Sequence, residues 1–264
     1  MAKRTTTTDR ALSVLSLFTA DQPEWTVEAI RSKLHLSVTT AYQYVGSLIH
    51  AGLLVSVRGG RYSIGPAAIE LDRIARKVDP LTRDARAVLV RLVEECGEKA
   101  VGLLCRLYKL RVMCVDQYVM EPPEIESSYE RGRPMPLIHG AASKVILANL
   151  PPRELRRFYD REAVTLNAAG LGHDWETFKD EMRRIRRGGP LTVTGELDTG
   201  AMGIAAPVFG DDDNVVGSIS IVLAEARVHS DPAQLQRLRN LVNIAGLAVT
   251  EALRVDAAAS NGGK

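Results

Sequence analysis

Aromatic residues, cysteines and long apolar runs are all scarce in this 264-residue chain. Phe, Trp and Tyr together make up 5% of it, and no stretch approaches the roughly 20 apolar residues with which a helix spans a bilayer. The first residues, MAKRTTTTDR, are basic and polar, unlike a secretory signal peptide. These absences argue against an exported or membrane-spanning protein and predict a cytoplasmic one with no membrane partner.

The three cysteines are an odd number that does not suit a disulfide framework, and a cytoplasmic protein keeps its thiols reduced. Cys96, Cys105 and Cys114 lack the short C-x-x-C or H-x-x-H pairs that bring two ligands to one metal. We therefore interpret them as core residues of strands. The sequence predicts neither a metal site nor a cofactor.

Motifs for catalysis are also missing, since the sequence contains no G-x-S-x-G, no phosphate-binding loop and no H-E-x-x-H. Glu196 and Asp198 could act as an acid/base pair, although a role in the turn before Gly200 suits their position better. Asp211–Asn214 lacks the spacing and distal Glu of a calcium loop and is typical of a solvated hairpin tip. No catalytic residue is predicted.

What the chain does have is enough apolar sequence for a real core, because 45% of its residues are hydrophobic. Its length suits two domains, and its charge is divided unevenly. Residues 1–78 carry ten Lys or Arg against six acidic residues, whereas residues 79–264 carry 24 against 26. A mildly basic first third suits a DNA-binding head joined to a second domain of another kind.

The most informative segment reads TVEAIRSKLHLSVTTAYQYVGSLIHAGLLVSVRGGRYSIG. Its first residue, Thr26, caps a predicted helix that ends near Leu34, and Ser37 begins a second helix. Two short alternating segments around Arg58-Gly59-Gly60 then predict a hairpin. A helix, a break, a second helix and a hairpin form the layout of a winged helix-turn-helix, which binds duplex DNA.

In this motif the second helix enters the major groove, where its exposed side chains reach base edges. Glutamine can bond an adenine edge in two places, threonine suits phosphates or thymine methyl groups, and wing or tail cations contact phosphates or the minor groove. The predicted DNA-contacting residues are Ser37, Thr39, Thr40, Tyr42, Gln43, Ser47, Arg58 and Arg61, with Lys3 and Arg4 of the tail. The alternative is an ordinary helical subdomain with a polar surface.

Beyond the hairpin, the pattern changes to one amphipathic helix and then to alternating strands and helices. The first helix runs from Pro66 to about Val78 and is broken by Asp79-Pro80. Later helices are predicted at 82–96, 140–149, 152–159, 174–187 and 231–254, and strands at 99–107, 111–118, 126–130, 191–196, 201–209 and 215–223. This mixture predicts an α+β domain in which helices pack on an antiparallel sheet.

Nearly the whole chain, about residues 9–255, resembles the IclR family of bacterial transcriptional regulators. In the first third the likeness rests on RALSVLSLF, IHAGLL and RYSIGPAAIEL. Later it rests on GRPMPLIHGAASKVILANLPPRELRRFY and RRGGPLTVTGELDTGAMGIAAPVFGDDDNVVGSISIV. Two features depart from the family. Gln43 stands where arginine is frequent, and the frequent PLHAT motif appears as Pro136-Leu137-Ile138-His139-Gly140.

The resemblance implies a winged helix-turn-helix at residues 1–64, a linker helix at 65–80 and a GAF-like effector-binding domain at 81–255. It also implies a homodimer or a dimer of dimers. Residues 256–264, rich in Gly, Ala and Ser, are predicted to be a disordered tail. Gln43 predicts that this chain reads its own operator sequence.

The resemblance places an effector pocket where small residues open the helix near 140. Free N–H groups at a helix start attract a carboxylate, although small residues there can also serve only tight packing against the sheet. The predicted effector-binding residues are Met135, Gly140, Ala141, Ala142, Ser143, Ala201, Met202, Gly203, Ser218 and Ser220.

The leading hypothesis is a ligand-responsive transcriptional regulator whose second domain senses a small organic acid and alters binding to a double-stranded DNA operator. The alternatives are an enzyme acting on a small carboxylic acid, with a vestigial first domain, and an architectural DNA-binding protein. Both glyoxylate- or pyruvate-like acids and aromatic acids such as protocatechuate fit the sequence, as do both repression and activation.

Overall fold

The chain divides at Asp79 into two units, and each is described by itself. A computed structural model describes residues 6–97, 99–120, 122–228 and 231–261. Lys3 and Arg4 of the predicted DNA-contacting set lie outside these residues. Within the described ranges, no helix has both the length and the apolar character needed to cross a membrane.

The first unit is a helical domain with a small antiparallel sheet, in which the strand order is β1-β3-β2. Its elements are α1 (Thr7–Ser13), a 3-10 turn (Leu15–Leu17), β1 (Trp25–Thr26), α2 (Val27–Leu34), α3 (Val38–His50), β2 (Leu54–Val57), β3 (Arg61–Ile64) and α4 (Ala67–Val78). The predicted helix-turn-helix and hairpin are confirmed. The two-residue strand β1 was not predicted, because a strand that short leaves no alternating pattern.

Side-chain caps begin the first three helices. Thr26 and Ser37 cap α2 and α3 as predicted, each accepting the N–H of the residue three positions on, at 3.2 and 3.1 Å. The cap of α1 is Thr6, and Asp9 completes a capping box from inside the first turn. The helices then bury their apolar sides together in one core, which includes Ile30, Ala41, Val45, Leu48 and Leu54.

The second unit is built on a six-stranded antiparallel sheet with the order β6-β5-β4-β9-β8-β7. The strands are β4 (Val101–Tyr108), β5 (Arg111–Val119), β6 (Pro134–Pro136), β7 (Leu191–Thr194), β8 (Ala201–Phe209) and β9 (Val215–Ala224). The helices are α5 (Pro80–Cys96), α6 (Ala141–Ala148), α7 (Pro152–Ala168), α8 (Trp175–Arg187) and α9 (Pro232–Asn261). The predicted α+β class with an antiparallel sheet is confirmed.

Helices cover both faces of this sheet, so the second unit has two apolar cores. Successive strand residues point to opposite faces: Leu103 joins the core beneath α6, α7 and α8, whereas Leu104 joins the core beneath α5 and α9. In β8, Ala205 joins the first of these cores and Ile204 joins the second. This alternation decides which predicted residues can share a site.

Several predicted boundaries were wrong. Residues 126–130 are irregular rather than a strand, because the backbone N–H groups of Ser128 and Tyr129 donate to side chains instead of a neighbouring strand. α7 continues past 159 to Ala168, and α9 continues to Asn261, into the predicted tail. The alanines near the end of α9 favour helix. Residues 262–264 lie outside the described ranges.

The three cysteines are buried thiols. Cys105 of β4 and Cys114 of β5 are paired on neighbouring strands, as expected of strand-core residues. A hydrogen bond with Cys114, together with burial, raises the pKa of the Cys105 thiol. Cys96 was wrongly assigned to a strand, since it is the last residue of α5.

The central strands leave no room for a side chain at Gly217. A Cβ there would lie 2.1 Å from the backbone oxygen of Cys105, whereas a Cβ at Gly203 would lie 3.5 Å from its nearest neighbour. Because overpacking costs roughly 1–3 kcal/mol, Gly217→Ala should lower the midpoint of thermal unfolding by about 2–10 °C. Gly203→Ala is the matched control. Thermal unfolding followed by circular dichroism measures both midpoints, and an equal decrease in the two variants would contradict this account.

Candidate functional site

The first candidate site is the outer side of α3 in the first unit. At 3.6 residues per turn, one side of this helix carries its buried residues and the other its polar ones. The exposed polar residues on that outer side are Thr39, Gln43, Ser47 and His50. His50 was missed by the sequence reasoning, although its spacing of seven residues from Gln43 places it on the same side.

Not all predicted residues of α3 point freely outward. Ser37 Oγ caps the helix and lies 2.7 Å from the Thr40 hydroxyl, so both hydroxyls are engaged. The Tyr42 hydroxyl donates to Glu28 of α2 at 3.3 Å, and the Glu28 carboxylate raises the pKa of Tyr42. Gln43 is left with its side-chain amide exposed at the middle of the outer side.

The wing contributes exposed cations. Arg58 lies at the tip of the β2–β3 hairpin and is exposed. Arg61, on β3, pairs with Glu24 at 3.2 Å, and both side chains are largely exposed. An exposed pair of this kind is worth little, so a phosphate can replace Glu24 at small cost.

The second candidate site is a cavity between the start of α6 and the sheet of the second unit. Its volume is about 40 Å³, room for only a few water molecules. Six of the ten predicted effector-binding residues line it: Gly140, Ala141, Ala142, Ala201, Gly203 and Ser220. The structure therefore brings together the helix start and two neighbouring strands.

The other four predicted residues lie elsewhere. Met202 points to the opposite face of the sheet and packs in the core beneath α5 and α9, because it alternates with Ala201. Met135 packs in the core on the β6 side. The Ser218 hydroxyl donates to the Ala142 carbonyl at 3.0 Å, and the Ser143 hydroxyl lies 2.7 Å from that of Tyr129. These two serines hold the helix in place and do not line the cavity.

Ser220 differs from these serines because its hydroxyl has no hydrogen-bond partner among the described residues. The side chain is only 1% exposed and faces the cavity. A buried hydroxyl without a partner costs free energy. A ligand that hydrogen-bonds to Ser220 recovers that cost.

Residues 195–200, here called the covering loop, close the cavity and were not predicted to do so. One carboxylate oxygen of Glu196 accepts the Gly140 N–H at 3.0 Å, and the other pairs with Lys144 Nζ. Asp198 accepts the Ser128 N–H at 2.9 Å and also the Ser128 hydroxyl. A lysine within the apolar run AASKVILA was the one sequence signal that pointed to this arrangement.

Gly140 is where the covering loop and the helix meet. Its φ is +76°, a conformation suited to glycine, and a Cβ would lie 2.8 Å from Leu197 and 2.9 Å from the Tyr129 hydroxyl. Tyr129 donates to the His139 carbonyl at 3.2 Å, and burial raises its pKa, so its hydroxyl stays protonated at neutral pH.

Comparison with known families identifies the two domains that carry these sites. A model of the IclR helix-turn-helix domain matches residues 7–58, and a model of the bacterial transcriptional regulator IclR C-terminal domain matches residues 75–250. The chain belongs to the IclR family. It is therefore a DNA-binding transcriptional regulator of the IclR type, in which the first unit is the DNA-binding domain.

Similar proteins span nearly the whole chain. The HTH-type transcriptional regulator KipR of Bacillus subtilis is 26% identical over 232 residues, which cover 88% of this chain and 91% of KipR. Solved IclR structures share the fold. A putative IclR regulator from Silicibacter sp. has a TM-score of 0.79 at 22% identity, over 94% of this chain and 96% of its own.

A further solved structure carries a bound ligand. An IclR homologue from Microbacterium hydrocarbonoxydans, complexed with 4-hydroxybenzoate, has a TM-score of 0.70 at 19% identity and covers 95% of this chain and 100% of its own. An IclR homologue with a bound aromatic acid is thus among the structures that this chain resembles.

Removing the Tyr129 hydroxyl should destabilise the second unit. Tyr129→Phe leaves the buried Ser143 hydroxyl without its partner, which costs roughly 1–2 kcal/mol, so the unfolding midpoint should fall by about 2–6 °C. Tyr108→Phe, at an exposed position on β4, is the matched control. Differential scanning calorimetry checks this, and an unchanged midpoint for Tyr129→Phe would contradict the anchoring role.

Proposed function

We propose that this IclR-family chain is a ligand-responsive regulator in which a small carboxylic acid binds beneath the covering loop and alters operator binding by α3. One observation carries the proposal. The buried Ser220 hydroxyl has no partner among the described residues and faces a cavity that opens on the start of α6, where backbone N–H groups have no acceptor within the helix. Both are features of a site for a polar, anionic ligand.

The relative with 4-hydroxybenzoate supports a carboxylic acid as the ligand class. Ligand pockets usually have roughly 300–1,000 Å³, far more than the cavity of about 40 Å³ in this chain. Ligand entry therefore requires the covering loop to move. A ligand that binds only the opened loop shifts the balance between two conformations, as linkage requires of an effector.

On the DNA side, Gln43 at the centre of the outer side of α3 contacts a base edge, with Thr39, Ser47 and His50 beside it. Arg58 and Arg61 at the wing contact the phosphate backbone and fix the register. Ser37, Thr40 and Tyr42 join them when their hydroxyls exchange their partners within the chain for phosphate oxygens. Base contacts by Gln43 favour adenine, since its amide can bond two groups on the adenine edge.

The protein acts as a homodimer joined through α4. Leu71, Ile74 and Val78 follow one side of this helix at helical spacing, and each is about half or more exposed. The charges of α4 lie mainly on its other sides. An apolar stripe of this length is covered when two copies of the helix pack together, and two heads then contact adjacent half-sites.

The enzyme alternative is less well supported. Glu196 is held by Lys144 and Gly140, and Asp198 by Ser128. Each carboxylate thus fixes the covering loop, and neither is left as a free acid or base facing the cavity. The similar proteins KipR of Bacillus subtilis and XynR of Escherichia coli are transcriptional regulators.

Gln43→Ala should weaken specific binding to the chain's own promoter region. Loss of one bidentate base contact costs about 1–3 kcal/mol, or roughly 5–150-fold in affinity, measured by electrophoretic mobility shift against unrelated competitor DNA. Gln22→Ala, an exposed glutamine in a loop of the same unit, is the matched control.

Outcomes of the same shift assay separate a regulator from an architectural protein. A regulator gives a specific shift that acids such as 4-hydroxybenzoate, protocatechuate or pyruvate strengthen or weaken. Steep salt dependence with no sequence preference favours an architectural protein. Absence of any shift with the promoter region, with or without acids, contradicts the proposed function.

Leu71→Glu should disrupt the proposed dimer, because it places a charge in the centre of the apolar stripe. Loss of the second head removes the gain in effective concentration, so apparent operator affinity should fall by at least about tenfold. Ile69→Glu introduces the same charge on the opposite side of α4, where Ile69 is 74% exposed. Sedimentation velocity and operator titration should separate the two variants, and identical behaviour would exclude this stripe as the interface.

A further inference from the structure

The anion-binding position at the start of α6 is already occupied by the chain itself. We propose that Glu196 is an internal competitor for the effector's acid group, and that Lys144 is the cation that binds this group once Glu196 withdraws. The inference deepens the proposed function and rests on it, since it assigns two residues that select the ligand class. Neither residue was among those predicted to bind the effector.

Glu196 is bound as a carboxylate ligand would be. One oxygen accepts the Gly140 N–H at the helix start, and the other pairs with Lys144 Nζ, one turn further along. Both interactions favour a negative group at this position. A second carboxylate cannot occupy it at the same time, because like charges this close repel each other strongly. The effector acid and Glu196 are therefore mutually exclusive.

Lys144 makes the exchange selective. All eight residues of α6 are buried, and the Lys144 side chain is only 10% exposed. A buried cation without a counter-ion carries a large desolvation cost. A neutral ligand that displaced Glu196 would leave Lys144 near Glu181, a carboxylate that is already paired with Arg184, whereas an acid replaces the lost charge. The position that Glu196 now holds, between Gly140 and Lys144, thus favours acids over their amides and esters.

Ser220 indicates what else the ligand carries. Its hydroxyl, which has no partner among the described residues, lines the cavity that Gly140 and Glu196 also line, on β9 across from the helix start. Glu196 does not satisfy it. A ligand that replaces Glu196 and also reaches Ser220 has a carboxylate and a second polar group. Hydroxy acids and keto acids have this chemistry.

The covering loop has the means to withdraw Glu196. Gly195 and Gly200 bound the loop, and both have positive φ, +68° and +75°, in conformations that other residues adopt with strain. The Glu196 side chain is 31% exposed, so it can enter solvent without crossing the core. Rotation at these glycines exposes the helix start while β7 and β8 stay in the sheet.

Chemical rescue tests the proposal in the full-length chain. Glu196→Ala removes the ion-pair partner of Lys144 and the acceptor of the Gly140 N–H, so the unfolding midpoint of the second unit should fall. Acetate fits the vacated position and supplies the missing charge. At about ten times its Kd, acetate should raise the midpoint of Glu196→Ala by about 3–6 °C and leave the wild type nearly unchanged relative to sodium chloride at equal ionic strength.

Three further measurements make the result specific. Acetamide should not rescue Glu196→Ala, because it carries no charge for Lys144. The double variant Lys144→Met/Glu196→Ala should lose the acetate response. Glu126→Ala, which removes an exposed glutamate elsewhere in the unit, should show none. Equal responses to acetate in Glu196→Ala and in the wild type would overturn the proposal.

A folding failure of Glu196→Ala does not prevent the test. Glu196→Gln keeps the side-chain shape and can accept the Gly140 N–H, but it leaves Lys144 without a charged partner. It should bind acetate at least about tenfold more tightly than the wild type by calorimetry, a difference of about 1.4 kcal/mol. No difference would again overturn the proposal. Operator binding is measured without acetate, so failure of the proposed function is seen separately.

Discussion

Burial of one lysine organises the second unit. α6 lies between the sheet and the outer helices with every residue buried, and a charged amine in that setting requires an anion. Glu196 supplies it from 52 residues further along the chain. This pair holds the covering loop over the cavity, where Leu197 meets Gly140 and Asp198 meets Ser128. The shape of the candidate site thus follows from the need to neutralise Lys144.

The same pair makes a conformational switch physically reasonable. Displacing Glu196 by an external acid replaces one carboxylate with another on the same lysine and the same N–H groups. Most of the electrostatic free energy is therefore conserved, and the remaining difference is the small quantity that a metabolite concentration can shift. If the lysine were apolar, opening the loop would offer no selectivity for acids. If it were exposed, opening would cost too little to keep the loop closed.

The sequence was most informative where the structure is local. Thr26 and Ser37 could be recognised as caps because each bonds a residue three positions away, and the hairpin turn is set by adjacent residues. The candidate effector site depends on contacts between distant segments. The family resemblance supplied part of this site, since Gly140 and Ser220 do line the cavity. Met202 does not line it, because alternation along a strand does not by itself say which residues face α6.

The DNA-binding unit has a modest electrostatic attraction to DNA, because residues 1–78 carry ten Lys or Arg against six acidic residues. Arg61 is paired with Glu24, and Tyr42 contacts another acidic residue, Glu28. In the proposed dimer, affinity depends on base contacts and on a second head held at the correct distance, in addition to the phosphate contacts of each head. Affinity that depends on the spacing of two heads responds to any change in the geometry of the dimer. In the proposed mechanism, the effector controls that spacing, and weak individual heads are what make such control effective.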